Sequence, residues 1–423
     1  MKTIAVLGTM DTKGVEHAFV ADCIRARGHA ALLIDVGGQA EPQVHADISR
    51  EEVAKAGRID LPALRAKADR GAMVEAMAAA APALLARLAD EGRIHGVISM
   101  GGTGGTAIGT AAMRELPIGF PKVMVSTVAA GNVAPYLGVK DIVMIPSIVD
   151  VAGLNRFSRG VFRRATGAIC GMVEANAGAI EESDAKPLIV ASMFGNTTTC
   201  VERARKTMEA AGYEVLVFHA VGSGGRTMES LIASGVVAGV LDITTTEWAD
   251  ELVGGVLNAG PTRLEAAARA GIPAIITPGC LDMVNFGAPE TVPSKFAGRT
   301  FYKHNPQITL MRTNASESAE LGRILAEKTN FSVGAVTVLL PKKGISVISQ
   351  EGKPFYDPVA DVALFDALRK NLRRDIPVVE LDCDINAPEF ADACVTALLG
   401  HLKARPAKVP ANPAAARSVV PTA

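Results

Sequence analysis

Short apolar runs alternate with amphipathic stretches along most of the chain, and glycine, proline or small polar residues punctuate them. Thr3–Leu7, Ala31–Val36, the run holding Val97, Ile98 and Met100, Pro121–Thr127 and Asp141–Ile145 predict strands. They are short and almost uniformly apolar, as parallel strands buried on both faces must be. Between them, Val15–Arg27, Ala72–Glu91, a segment running to Leu116, and Asn155–Ala177 predict helices. Such a βαβ opening demands a right-handed crossover and a parallel pair. Gln39–Asp69 breaks the rhythm: it is polar, carries Pro42 and Pro62, and reads as an irregular lid, arm or surface insertion.

The pattern restarts after the polar stretch Gly178–Lys186. Leu188–Met193, Tyr213–His219, Val236–Ile243, Ile272–Thr277, Ala335–Leu340 and Pro377–Leu381 predict strands, and Val201–Ala211, Thr262–Ala270, Ser316–Thr329, Asp361–Asn371 and Phe390–Leu402 predict helices. Lys2 and Gly28 match Lys186 and Gly212 at one common offset, which suits either a duplication or two ordinary βαβ units. The fold class expected is α/β, with two Rossmann-like doubly wound parallel-sheet domains over residues 1–180 and 186–404. Cys280–Pro306 shows little periodicity and is expected to be a long functional or lid-like loop. Residues 405–423 are rich in Ala and Pro and are expected to be a disordered tail.

Composition narrows the function classes. With 43 Lys+Arg against 44 Asp+Glu, the chain has no basic excess for nucleic acid or an anionic membrane. No apolar run reaches about 18 residues, so no membrane span is expected. No signal peptide precedes the first strand, and the six cysteines form no C-x-x-C pair, so a cytoplasmic protein with reduced thiols is expected. The seven histidines are dispersed, which argues against a structural zinc site.

The chemistry concentrates in loops that a doubly wound sheet gathers at the carboxyl ends of its strands. Gly101–Thr106 follows a buried strand and precedes a helix, so its amides can face a phosphate. The same glycines also suit a tight turn that needs only their backbone freedom. Gly8–Gly14, Asp35–Gly38 and Ser126–Asn132 share that rim, bringing Lys13, the hydroxyls of Thr9, Thr103, Thr106 and Thr127, and two ribose partners, Asp35 and Asn132. Gly102–Ala107 fits a dinucleotide variant, G-x-G-x-x-A, but it lies mid-domain and no acidic residue ends the next strand. An NAD-dependent oxidoreductase is therefore the weaker alternative. The second half offers a partly acidic rim of Asn196, Thr197, Ser223, Thr244–Thr246, Glu247 and Asp282, with His304 and Cys280 as isolated candidates that lack catalytic neighbours.

GTMDTKG at Gly8–Gly14, MGGTGGT at Met100–Thr106, STVAAGN at Ser126–Asn132, PGCLDMVNFG at Pro278–Gly287 and HNPQITLMRT at His304–Thr313 together resemble the Tm-one-like ATP-binding family. The resemblance runs to about Leu402 and implies two Rossmann-like domains, ATP with Mg²⁺ in the first, and a homodimer. It also implies that the plant member inhibits a viral replication helicase, and that its C-terminal barrel has no counterpart here. A separately encoded barrel protein is then an expected partner. Carried onto this sequence, the nucleotide contacts are Gly8, Thr9, Asp11, Lys13, Gly102, Thr103, Gly104, Gly105, Thr106, Thr127, Gly131 and Asn132. Lys13 would hold phosphate and Asp11 would orient Mg²⁺. The remaining alternatives are an ATP-dependent enzyme with a second site between the domains, and a non-catalytic module that nucleotide regulates.

Overall fold

The computed structural model describes residues 1–177 and 186–404. Most of the predicted junction and the whole predicted tail lie outside the described residues. The chain divides into two compact units near residue 182.

The first unit begins with β1 (Thr3–Gly8), α1 (Met10–Arg25) and β2 (Ala30–Asp35), followed by α2 (Arg50–Ala56), α3 (Leu61–Ala66) and α4 (Arg70–Asp90). It continues with β3 (Gly96–Gly101), α5 (Thr103–Glu115), β4 (Lys122–Ser126), α6 (Ala134–Leu137), β5 (Val143–Pro146) and α7 (Arg156–Ala177). The sheet order is β2-β1-β3-β4-β5, and every pairing is parallel. Ala5, Leu7, Val97 and Met124 pack on the face that carries α4 and α5. Ile4, Val6, Ile98 and Val125 pack on the opposite face, with α1 and α7. Burial on both faces explains why these strands read as continuous apolar runs.

Three expectations change. The presumed loop Gly8–Gly14 is mostly helix, because α1 starts at Met10. The presumed loop Gly101–Thr106 shrinks to Gly102, because α5 starts at Thr103. The polar segment Gln39–Asp69 contains α2 and α3: a Ser49–Glu52 capping box starts the first, and Asp60 caps the second. Helix α4 is long and apolar enough to cross a membrane by length and composition alone, a test that a core helix also passes. Its Met77, Ala81, Leu84 and Leu88 are buried in the sheet-facing core.

The second unit opens with β6 (Leu188–Met193), α8 (Thr198–Ala210), β7 (Glu214–His219), α9 (Ser223–Ala233), β8 (Val237–Thr244), α10 (Glu247–Val253), α11 (Glu265–Ala270) and β9 (Ala274–Gly279). After β9 come β10 (Met283–Phe286), β11 (Phe301–Asn305), β12 (Ile308–Arg312), α12 (Ala315–Asn330), β13 (Val336–Pro341), α13 (Pro358–Asn371), β14 (Val378–Leu381) and α14 (Pro388–Ala404). Its main sheet runs β14-β13-β9-β8-β6-β7, again entirely parallel. The expected loop Cys280–Pro306 instead supplies β10 and β11, which flank β12 in a small antiparallel sheet. Both units therefore wind outward from their first strand in the same sense.

Candidate functional site

In sheets of this kind ligands sit beyond the carboxyl ends of the strands where the winding reverses. In the first unit that point lies between β1 and β3. Gly102 is the N-cap of α5, with extended backbone (φ −77°, ψ −161°) and no side-chain cap. The first intrahelical bond runs from the Thr106 N–H to the Gly102 carbonyl at 2.8 Å. The amides of Thr103, Gly104 and Gly105 precede it and point out of the helix end, where the dipole favours an anion.

The glycines here do different jobs. A β-carbon on Gly101 would lie 2.9 Å from the Gly105 Cα, so that pair exists for close strand–helix packing. A β-carbon on Gly102 would meet only the Thr127 hydroxyl, at 3.8 Å, so the helix mouth itself is open. Thr106 is fully buried. Its hydroxyl donates to the Gly102 carbonyl at 2.8 Å and accepts from Ser126 at 2.7 Å, while Ser126 accepts the Val128 N–H at 3.1 Å. Both hydroxyl protons are thereby committed inside the protein. Beside this mouth, the loops after β4 and β5 enclose an open cleft of about 520 Å³, lined by Thr127, Ala130, Ser147, Ile148 and Asp150 among others. Ile148 has φ +66° and is 75% exposed, an uncommon posture for a β-branched residue. Gly131 and Asn132 lie exposed on the turn before α6, where Asn132 accepts the Ala134 N–H.

The β1 side of the rim is more heavily committed than expected. Asp11 is buried, and one carboxylate oxygen accepts the N–H groups of Gly38, Gln39 and Ala40 at 3.0–3.3 Å. Asp35 is buried against Arg50 at 2.6 Å and accepts the Met10 and Gly37 N–H groups, so it is not free for a ribose. The Lys13 ammonium donates to the Val151 carbonyl, tying a non-helical residue of α1 to the loop after β5. Gly8 leaves room for the buried His17 ring: a β-carbon there would lie 1.9 Å from its Nε2. Burial lowers the His17 pKa and keeps the ring neutral. Thr9 is paired with Thr12 through their hydroxyls at 2.9 Å.

In the second unit the winding reverses between β6 and β8, and the start of α9, which follows β7, is closed by a side chain. The Glu247 carboxylate accepts the N–H groups of Gly222 and Gly225, at 2.7 and 3.1 Å, across the start of α9. The same carboxylate accepts from Arg263 Nε at 2.7 Å. Arg263 also makes a fork with Asp242 at 2.6 and 2.7 Å and reaches Glu229 at 3.1 Å. Burial opposes its charge, yet these carboxylates hold its pKa well above the ordinary value. A side-chain carboxylate thus takes the amides that follow β7, the counterpart of β2, much as Asp11 takes those of Gly38, Gln39 and Ala40 in the first unit. The sequence singled out Glu247 but missed Arg263, Glu229 and Asp242. An aspartate inside the apolar run of β8 was the available signal, since a charge there needs a buried partner.

The other second-unit candidates lie in different settings. Thr197, Thr244, Thr245 and Thr246 are fully buried, and Thr197 and Thr244 share a hydrogen bond at 2.7 Å. Cys280 is fully buried, and burial and Asp282 push its thiol well above the usual range, so it is no thiolate nucleophile. His304 lies exposed near the tip of the β11–β12 hairpin.

The two units coincide with two matches to one family. The N-terminal domain profile of the Uncharacterised protein family (UPF0261) matches residues 2–178, and the C-terminal domain profile matches residues 186–402. A UPF0261 protein of Clostridium tetani is 48% identical over 403 residues, covering 95% of this chain and 99% of that protein. The ToMV resistance protein Tm-1(GCR237) of Solanum lycopersicum is 41% identical over 355 residues, covering 83% of this chain and 47% of that protein. Among solved structures, a UDP-N-acetylglucosamine 2-epimerase from Rickettsia bellii aligns over 65% of this chain and 78% of that one, with 12% identity and a TM-score of 0.22, too low to carry an argument. On the strength of both domain matches and the full-length relatives, this chain belongs to the UPF0261 family and is a homologue of the tomato Tm-1 proteins.

Proposed function

We propose that the first unit binds a nucleotide through its phosphates, with ATP and Mg²⁺ as the ligand. The observation that carries this reading is the uncapped start of α5 at the strand-order reversal, opening beside a cleft of about 520 Å³. The amides of Thr103, Gly104 and Gly105 supply the donors and the helix dipole adds favourable potential. Thr127 adds a hydroxyl, and Asp150 offers a carboxylate for a ribose diol or a metal-bound water. The choice of ATP follows the motif resemblance. Asp35, fixed to Arg50, speaks against the dinucleotide alternative, which needs a free acid at the end of the second strand.

Binding without turnover is the favoured form of this reading. Among the residues lining the cleft, Asp150 is the one ionisable side chain, and no nucleophile–base pair faces it. Homodimerisation and a barrel partner are proposals of the same resemblance.

Gly102→Asp tests the proposal without disturbing the fold. The N-cap backbone already suits aspartate, so helix stability should rise by a few tenths of a kcal/mol. The new carboxylate should take the first-turn amides and repel phosphate. Calorimetric titration with ATP and Mg²⁺ should show binding in the parent and none in the variant. Equal affinity in both, or no heat from a folded parent, overturns the assignment.

A further inference from the structure

Helix α7 of the first unit opens with an exposed basic face. Arg156, Arg159 and Arg163 are spaced three and four residues apart, so they share one side of the helix, and Arg164 stands beside them. None of these guanidiniums joins an ion pair or donates a hydrogen bond among the described residues. Arginine is used differently in the second unit, where every one from Arg203 to Arg373 donates to a carboxylate or a carbonyl.

The acids around α7 are engaged elsewhere. Asp22 pairs with Arg25 at 3.0 Å, Glu174 pairs with His29 at 2.9 Å, and the buried Glu16 accepts the Gly153 N–H. Asp150 lines the cleft. The chain as a whole is balanced in charge, so the surplus is local.

This arrangement costs the free protein stability. Arg159 and Arg163 are like charges at i and i+4, and Arg156 puts a cation in the first turn, where the helix dipole favours an anion. Two of the guanidiniums are nevertheless held in place: those of Arg159 and Arg163 lie over the Phe19 ring, 5.1 and 5.8 Å from its centroid. Phe157 is 65% exposed, next to Arg156 and two turns before Arg164. A row of planar guanidiniums suits a row of phosphates, and an exposed ring among them is a platform for an unpaired base. A membrane surface asks for a broader apolar face than one phenylalanine, and carboxylates alone leave the ring unused.

We infer that this face of α7 binds single-stranded nucleic acid, its phosphates on Arg156, Arg159, Arg163 and Arg164 and a base on Phe157. The inference does not depend on nucleotide binding in the cleft.

The probe is a fluorescein-labelled thymidine oligonucleotide of about twelve residues, titrated with the full chain and followed by anisotropy between about 50 and 200 mM salt. Binding should weaken as salt rises. In Arg159→Gln/Arg163→Gln the slope of log K against log salt should be shallower by about 1.4, two phosphate contacts being lost. Phe157→Ala should weaken binding about tenfold at an unchanged slope. Both variants replace exposed side chains and should melt as the parent does. Gly102→Asp should bind as the parent does; a loss there would place the strand at the α5 mouth and overturn the inference. Unlabelled strand should displace the probe better than a duplex of equal length, polyglutamate or phosphatidylglycerol vesicles. No binding at about 50 mM salt, an unchanged slope in the arginine variant, unchanged affinity in Phe157→Ala, or equal or better competition by any of those three also overturns it.

Discussion

Replacing Arg263 by methionine keeps the length and apolar stem of the side chain and removes every donor. The structure shows what is left: Asp242, Glu247 and Glu229, all largely buried, around a site with no cation. Breaking one buried ion pair by deleting a partner typically costs 3–5 kcal/mol. Three carboxylates lose their shared partner here, so about 4 kcal/mol is a conservative expectation. Urea unfolding measures it, and the chain's single tryptophan, Trp248, reports on the correct unit because it adjoins Glu247. With a slope of roughly 2–3 kcal/mol per molar, the midpoint should fall by more than about 1 M. The effect also has a sign in pH. The native variant gains from binding protons at the stranded carboxylates more than its unfolded chain does, so its deficit should shrink from pH 7.5 to pH 5. A midpoint shift below about 0.3 M, or a deficit that is constant or grows towards pH 5, would refute the view that Arg263 is there to neutralise this cluster.

Burial pushes Asp250 up to about 7, against hydrogen bonds from Asn285 and Leu257 that favour its charged form. A raised carboxyl pKa means the native state holds its proton longer than the unfolded chain, so stability falls as pH rises from about 4 to 7, by roughly 4 kcal/mol. Asp250→Asn should flatten the pH dependence of unfolding between about pH 4 and 7, and an unchanged slope would remove Asp250 as its source. Thr106→Val should cost about 1–3 kcal/mol by stranding the Ser126 hydroxyl, yet leave ATP affinity of the folded protein unchanged; a large loss of affinity by calorimetry would restore Thr106 as a direct contact. Gly8→Ala should sharply reduce the thermal midpoint, because the new methyl collides with the His17 ring; a melt within about 2 °C of the parent would show that the ring moves freely.

The strands were legible because burial on both faces leaves an unbroken apolar run, as in Val123–Val125 or Val338–Leu340. Helix starts were not, because glycine near a helix start carries the same signal as glycine in a loop. At Gly104 and Gly105 it lies in the first turn of α5, and at Gly109 it lets α5 approach Ser99 and Met124 on the sheet. Helices α2 and α3 are too short to show periodicity, although Ser49 and Glu52 carried a capping signal. The rim residues of the first unit were placed near the correct strand ends, but sequence could not reveal that Asp11 and Asp35 are consumed by neighbouring amides and Arg50. Those partners are brought together by the fold, not by spacing along the chain. The loop that carries Ile148 and Asp150 gives no signal in sequence, because nothing in its composition distinguishes it from an ordinary surface turn.

The filled helix mouth of the second unit bears on history as well as energetics. Opening the start of α9 to an anion is not a one-residue change. Loss of Glu247 alone uncovers the start of α9 but deprives Arg263 of one ligand, and loss of Arg263 alone strands three acids. Residues in one ion-pair network couple, so the two changes are expected to be epistatic. Across relatives the members of the Arg263 cluster are expected to change together or not at all, since altering one leaves the others without their partner.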